Sequence, residues 1–252
     1  MGYTDESGVT LPPLHPRCRC AIIYREVEKP KPLTAPGMNG NVSGGIKPLS
    51  PERIKAIRYD EEKAFQAKTG ADFGFKKMKS PPDWAKEIYF ANGDGKGIER
   101  RMNCQRCVVA HEARMRGYDV IARPSWGAED SMQSVGALLS VFEDGDKGTF
   151  RCVGSTVYEI KKFIVDKMTE WGKGSRAFVW FDWDNFFENC TLAHVIVTRL
   201  NENRFVNFGD PQTRKISAVE CLNGVKLDSV KILRVDNLKF TELVKRYCMN
   251  KE

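Results

Sequence analysis

Three residues of this chain, Cys104, His194 and Asp210, have the types and the order that thiol chemistry on an acyl group requires. A cysteine thiolate attacks carbonyl carbon, an imidazole takes and returns the proton, and a carboxylate orients the imidazole. Cys104 falls in Asn103-Cys104-Gln-Arg-Cys107, His194 in Ala193-His194-Val195, and Asp210 in Asp210-Pro211-Gln212. Asn103 and Gln212 complete the candidate set as supporting or substrate-binding residues.

The choice of base is short, because the chain has only three histidines. His15 lies in a separate N-terminal segment. His111 is seven residues beyond Cys104 on the same expected helix, a rise of about 10.5 Å and too far for contact. His194 remains.

The elements that must position these groups are a helix start and a hairpin. A helix is expected from Cys104 to Gly117, a natural C′ residue, with Val108, Val109, Ala113 and Met115 on its apolar side. A cysteine at a helix start meets about half a unit of positive charge and free N–H groups, which favour thiolate and contribute to an oxyanion hole. Strands are expected at 191–200 and 204–209, joined by a turn at Asn201-Glu-Asn203. A turn centred on Glu202 pairs residues whose numbers sum to 404, and so sets His194 opposite Asp210. A slip of one residue would turn Asp210 to the other face.

Further elements follow from periodicity and capping. A short helix fits Trp84–Phe90 and a strand Tyr118–Ala122. Ser155 or Thr156 caps a long helix through Trp171, with Val157, Ile160, Phe163, Ile164, Val165 and Met168 facing inward. Strands at Arg176–Trp183 and Val230–Val235, a short helix at Ala218–Leu222 and a last helix at Thr241–Cys248 complete the set. Helices first and an antiparallel sheet afterwards define an α+β fold.

Toward the N-terminus, residues 25–50 are rich in Pro, Gly, Lys and Asn and read as a flexible linker. The expected division is therefore a segment 1–24, a linker 25–50 and a catalytic domain 51–252, which opens on a helix capped by Ser50 with Pro51 at its first position.

Composition narrows the function classes. With 252 residues, 41% hydrophobic and 10% aromatic, the chain can build a core. The net charge of +7 is uneven: residues 1–102 carry +5 and residues 103–252 only +2. No clustered basic face is visible in the second part, so nucleic acid is not an expected partner. No apolar run approaches the ~20 residues of a membrane span, and the first residues lack a basic and then apolar leader. A cytoplasm, of the producing or of a target cell, is the expected place of action. The eight cysteines are expected as reduced thiols.

Other uses of these cysteines stay open. Cys104-x-x-Cys107 has the spacing of a redox pair, though without a βαβ setting. Cys104, Cys107, His111 and Cys152 make a permissive zinc set, and Cys18-x-Cys20 with His15 a weaker one. No metal and no cofactor is expected. A domain that only binds is the alternative from another class.

The motifs Asn103-Cys104-Gln-Arg-Cys107-Val, Arg116-Gly-Tyr-Asp-Val120, Ala193-His194-Val and Phe208-Gly-Asp210-Pro-Gln212 resemble the papain-fold toxin domains of bacterial polymorphic toxins. Those domains often read NCxxC, GH and DPQ; this chain has Ala193 where they usually have Gly. The resemblance covers about residues 85–250. It implies a papain-like cysteine hydrolase, most similar to protein glutamine deamidases delivered as effectors, with Cys104, His194 and Asp210 as the triad. It further implies a protein substrate bearing a target glutamine and a cognate immunity protein. Proteolysis shares the chemistry up to the leaving group.

Separately, Leu11-Pro-Pro-Leu-His-Pro-Arg-Cys-Arg-Cys20 resembles the C-terminal end of MuF-like phage minor head proteins. That implies a phage or prophage association, with head components as partners, in a chain that carries only a remnant of such a domain.

Overall fold

The computed structural model describes residues 73–125, 135–184 and 193–251. The expected N-terminal segment, linker and helix at 51–70 lie outside the described residues.

A five-stranded antiparallel sheet organises the domain. Its strands are β2 (Thr149–Arg151), β3 (Arg176–Asp182), β4 (Ala193–Leu200), β5 (Val206–Gly209) and β6 (Lys231–Arg234), in the spatial order β2-β6-β3-β4-β5. Buried residues run without a break through 177–181 and 194–198, because both faces of the sheet are covered. One face, with Phe178, Trp180, Val195, Val197 and Leu233, meets helices α1 (Trp84–Phe90) and α2 (Cys104–Met115). The other face, with Ala177, Val179, Phe181, Ile196 and Ile232, meets α4 (Val157–Trp171). Short helices α3 (Val135–Leu139) and α5 (Val244–Tyr247) and a two-stranded sheet of β1 (Val120–Ala122) with β7 (Cys248–Asn250) complete it.

Local chemistry explains the boundaries. Asp83 caps α1 by accepting from the Lys86 N–H at 3.2 Å. Thr156, rather than Ser155, caps α4: its hydroxyl accepts from the Glu159 N–H, while Glu159 accepts from the Ser155 N–H at 2.6 Å. Helix α2 stops at Gly117, whose φ of 87° lets the Gly117 and Tyr118 N–H groups turn back onto the Arg114 and Ala113 carbonyls.

Five expectations change. The hairpin pairs Val197 with Gly209 and Leu200 with Val206, so partners sum to 406 and not 404. Arg204, with φ 62°, and Phe205 join the loop instead of the strand. The Asn201 Oδ1 holds them there by accepting from the Asn203 and Phe205 N–H groups, each at 2.9 Å. Val165, expected inward, is 39% exposed. At Ala218–Leu222 the chain forms a 3₁₀ helix over Val219–Gly224. The last helix is confined to Val244–Tyr247, because Cys248–Asn250 pair with β1. Arg123 draws the chain over by donating to the Lys245 and Cys248 carbonyls at 2.8 and 3.0 Å.

Helix α1 and strand β5 meet at Gly209. A Cβ there would lie 2.2 Å from Ile88 Cδ1 and 3.2 Å from Ile88 Cγ1, and Ile88 is fully buried. Gly209→Ala is expected to cost roughly 1–3 kcal/mol by overpacking. Ile88→Val, which removes Cδ1, is expected to recover most of that in the double variant. Thermal melts of the four proteins check this, and additive losses would show that the contact is not the cause.

Candidate active site

Helix α2 brings Cys104 to the sheet at its first turn. Asn103 stands at the N-cap position, but its side chain makes no cap. Instead its Oδ1 accepts from the Cys107 thiol at 3.2 Å and its Nδ2 donates to Asn92 Oδ1 at 2.9 Å. Cys104 is half-buried and packs, like Ala193, against the α1–α2 side of the core.

His194 sits one residue into β4, 3% exposed. Its Nε2 lies 3.1 Å from Asp210 Oδ2, and Cys104 is close enough to act on its charge. Since Nε2 faces Asp210, Nδ1 is the ring atom left for the thiol. Trp183 stacks on the imidazole at 6.2 Å between centroids and Phe181 meets it edge-on at 5.7 Å.

Asp210 lies just past β5, 1% exposed. Its Oδ1 accepts from the Gln212 and Thr213 N–H groups at 2.9 and 3.3 Å. Its Oδ2 accepts from the Thr213 hydroxyl at 2.8 Å, beside His194. A bridge between Asp210 and Lys215 closes the turn.

Electrostatics follow from these contacts. Burial works against a charged His194, but the Asp210 charge and hydrogen bond, together with those of Cys104, outweigh it and hold the imidazolium well above the usual range. Burial likewise opposes ionisation of Asp210, yet His194 and Thr213 keep its carboxyl below the ordinary value. Cys107 has the opposite character. It is fully buried, and burial raises its thiol far above that of a free cysteine.

All five sequence-derived candidates fall in one neighbourhood: Asn103, Cys104, His194, Asp210 and Gln212. The Gln212 backbone carbonyl accepts from Asn92 at 3.0 Å, and its side-chain Nε2 is buried without a hydrogen-bond partner. The zinc set does not converge, since Cys107 packs in the α1–α2 part of the core and Cys152 in the α4 part. Among the described residues no group of three or more His, Cys, Asp or Glu is placed to hold a metal ion. The five described cysteines are all free thiols.

Three contributors were missed in sequence. Asn92 lies in Asn92-Gly-Asp-Gly95, which reads only as a chain breaker. Trp183 ends a strand and carries no motif. Thr213 did have a signal, because an Asp followed by a hydroxyl residue just past a strand end is turn chemistry. An open cavity of about 470 Å³ is lined in part by Trp180, Asp182, Ala193, Lys226 and Lys231.

Comparison with known proteins gives a family match. The family described as "Papain fold toxin 1, glutamine deamidase" has a model that matches residues 102–215. The match starts two residues before Cys104 and ends five after Asp210, and so encloses every candidate residue. It supports a cysteine-dependent deamidase or toxin domain over that stretch, and the α+β architecture is the papain-like fold. No curated protein and no solved structure matches the chain. No helix among the described residues is long and apolar enough to cross a membrane.

The two buried histidines respond to pH with opposite signs. His111 packs edge-on against Trp84 at 4.6 Å, and burial depresses its pKa from 6.5 to about 3. Between those values the unfolded chain binds a proton that the folded chain does not, so stability falls as pH drops below 6.5. The full effect, reached only near pH 3, is about 5 kcal/mol. His194, with its raised pKa, contributes stability that is complete below 6.5 and lost only as pH rises through its folded value. The melting temperature is therefore expected to fall from pH 7 to 5, with a shallower slope in His111→Leu. Equal slopes would assign the acid loss elsewhere.

Proposed function

We propose that this protein is a cysteine amidohydrolase that deamidates glutamine side chains of a protein substrate, as a toxin or effector domain. The observation that carries the proposal is the buried His194–Asp210 contact at 3.1 Å, with Cys104 near enough to His194 to act on its charge. The family match favours a side-chain amide over a peptide bond.

In this mechanism Cys104 is the nucleophile, His194 moves the proton and Asp210 orients His194. The Cys104 sulfur adds to the carboxamide carbon, and the oxyanion is met by N–H groups at the start of α2. The His194 imidazolium gives its proton to the amide nitrogen as the C–N bond breaks, and ammonia leaves. Neutral His194 then takes a proton from water, which attacks the thioester. Glutamate is released, and the proton returns with the thiol. Asn103 holds the helix start, and Gln212 shapes the turn beside Asp210.

The wider setting rests on sequence resemblance. Leu11–Cys20 supports origin in a phage or prophage head polypeptide, with head components as associated proteins. The toxin assignment adds a cognate immunity protein and action in a cytoplasm.

The test is incubation of the full chain with bacterial protein extracts and glutamine peptides, read by ammonia release and mass spectrometry. A mass gain equal to replacing NH by O is expected. Cys104→Ala is expected to abolish it, and Asp210→Asn to slow it on the order of 10³-fold by losing the imidazole's orientation. Product formation by Cys104→Ala equal to wild type would overturn the proposal. Two peptide fragments in place of the mass gain would convert it to a protease. Cellular effects that Cys104→Ala leaves intact would favour a domain that only binds.

A further inference from the structure

Asn92 is 1% exposed, and its carboxamide is satisfied at every polar atom by three separate segments. Its Nδ2 donates to the Arg100 carbonyl and to the Gln212 carbonyl, each at 3.0 Å. Its Oδ1 accepts from Asn103 Nδ2 at 2.9 Å. Asn103 is the residue before Cys104, and its Oδ1 accepts from Cys107 one helical turn later. Gln212, on the other side, donates its N–H to Asp210 Oδ1 at 2.9 Å. A single side chain thus links the start of the nucleophile's helix to the turn that carries the orienting carboxylate.

The segment bearing Asn92 is itself clamped. The Ala91 carbonyl accepts from the Ala122 N–H at 2.7 Å, and the Gly93 carbonyl accepts from Arg214 at 2.7 Å. Arg100 reaches back to donate to the Ala122 carbonyl at 2.9 Å. Asn92 therefore acts from a fixed base, and small displacements of Asn103 or Gln212 meet directional resistance.

We infer that Asn92 is a positioning residue for the proposed reaction, setting where Cys104 stands relative to the His194–Asp210 pair. The inference rests on the cysteine–histidine assignment above. The choice of residue is chemically narrow. Two donors and one acceptor on a short stem are what a carboxamide supplies. An aspartate of the same shape would aim an anion at two carbonyl oxygens in a buried site, where unpaired charge is costly.

The experiment is alkylation of Cys104 by iodoacetamide across pH 5–9 in the full chain, with the adduct located by peptide mass. Wild type, Asn92→Asp, His194→Ala and Met168→Ala are compared. Met168 is fully buried in the core on the α4 face, so its truncation lowers stability without touching the network. A thiol paired with an imidazolium reacts well below the pH of a free thiol. Asn92→Asp is expected to slow alkylation at pH 6 by about tenfold, because Cys104 is displaced from the imidazolium. Met168→Ala is expected to keep the wild-type profile. If Asn92→Asp does not fold, Asn92→Ser, whose hydroxyl retains part of the network, takes its place. An Asn92 profile superimposed on wild type, or one shared with Met168→Ala, overturns the inference. A wild-type profile that His194→Ala leaves unchanged removes the underlying pair instead, and the inference with it.

Discussion

Burial of helix α2 on every side is the constraint on which the rest depends. Residues 105–114 are all buried, so the charged side chains among them must be paired inside the protein. Glu112 takes Arg116 at 2.9 Å and Arg176 of β3 at 2.9 and 3.0 Å. Burial alone would raise its carboxyl, but the two guanidinium groups hold it down at about 2. Arg114 takes Glu87 of α1 at 2.6 Å, together with Asp119 and the Val120 carbonyl. Arg116 adds the Val235 and Leu238 carbonyls and lies over the Phe240 ring. Such buried pairs contribute little net stability, because desolvation offsets attraction, but breaking one is costly. Their use here is positional. They join α1, β1 and β3 to the C-terminal half of α2 and thereby fix where its N-terminal end, with Cys104, must project.

At that end the demands reverse. The C-terminal half of α2 neutralises its charges in place, whereas Cys104, His194 and Asp210 bring a thiol, an imidazole and a carboxylate into one neighbourhood. Asp210 is held ionised by donors from its own turn as well as by His194. It therefore keeps a proton on His194 Nε2. Trp183 and Phe181 flank the imidazole, which thins the water around it and strengthens its attraction to Asp210. Cys107 lies one turn from Cys104 and remains a thiol, since its burial is complete and its hydrogen bond goes to a neutral amide. Two cysteines three residues apart thus sit in different surroundings, Cys104 half-buried and Cys107 sealed in the core.

Much of this was legible in the sequence, for reasons specific to each element. Helix α2 and its stop at Gly117 follow from periodicity and the glycine's left-handed φ. Helix α4 follows from a capping threonine and an apolar stripe. His194 followed from elimination among three histidines. The illegible parts are those decided by distant partners. Cys248–Asn250 reads as a helix end, but the edge of β1 claims it as a strand. Val165 fits the apolar stripe but lies just past its edge. Asn92 makes its bonds to residues 8, 11 and 120 positions away, so no local pattern marks it.

The hairpin shows why a wrong register still leads to the right partner. The observed ladder is offset by two from the expected one, because the loop runs from Asn201 to Phe205. Side chains alternate with a period of two, so an even offset leaves His194 and Asp210 on one face while an odd offset would separate them. Asp210 is then no longer opposite His194 but diagonal to it, near the limit of reach across two strands. The Asp210–Lys215 bridge and the Thr213 hydroxyl aim the carboxylate back along the sheet, which makes the diagonal contact. The geometry of the pair is therefore set by two turns, one organised by Asn201 and one by Asp210, more than by the strands between them. That places the tolerance of the site in strand residues and its sensitivity in Asn201, Thr213 and Pro211, whose missing N–H ends the ladder where the carboxylate must turn.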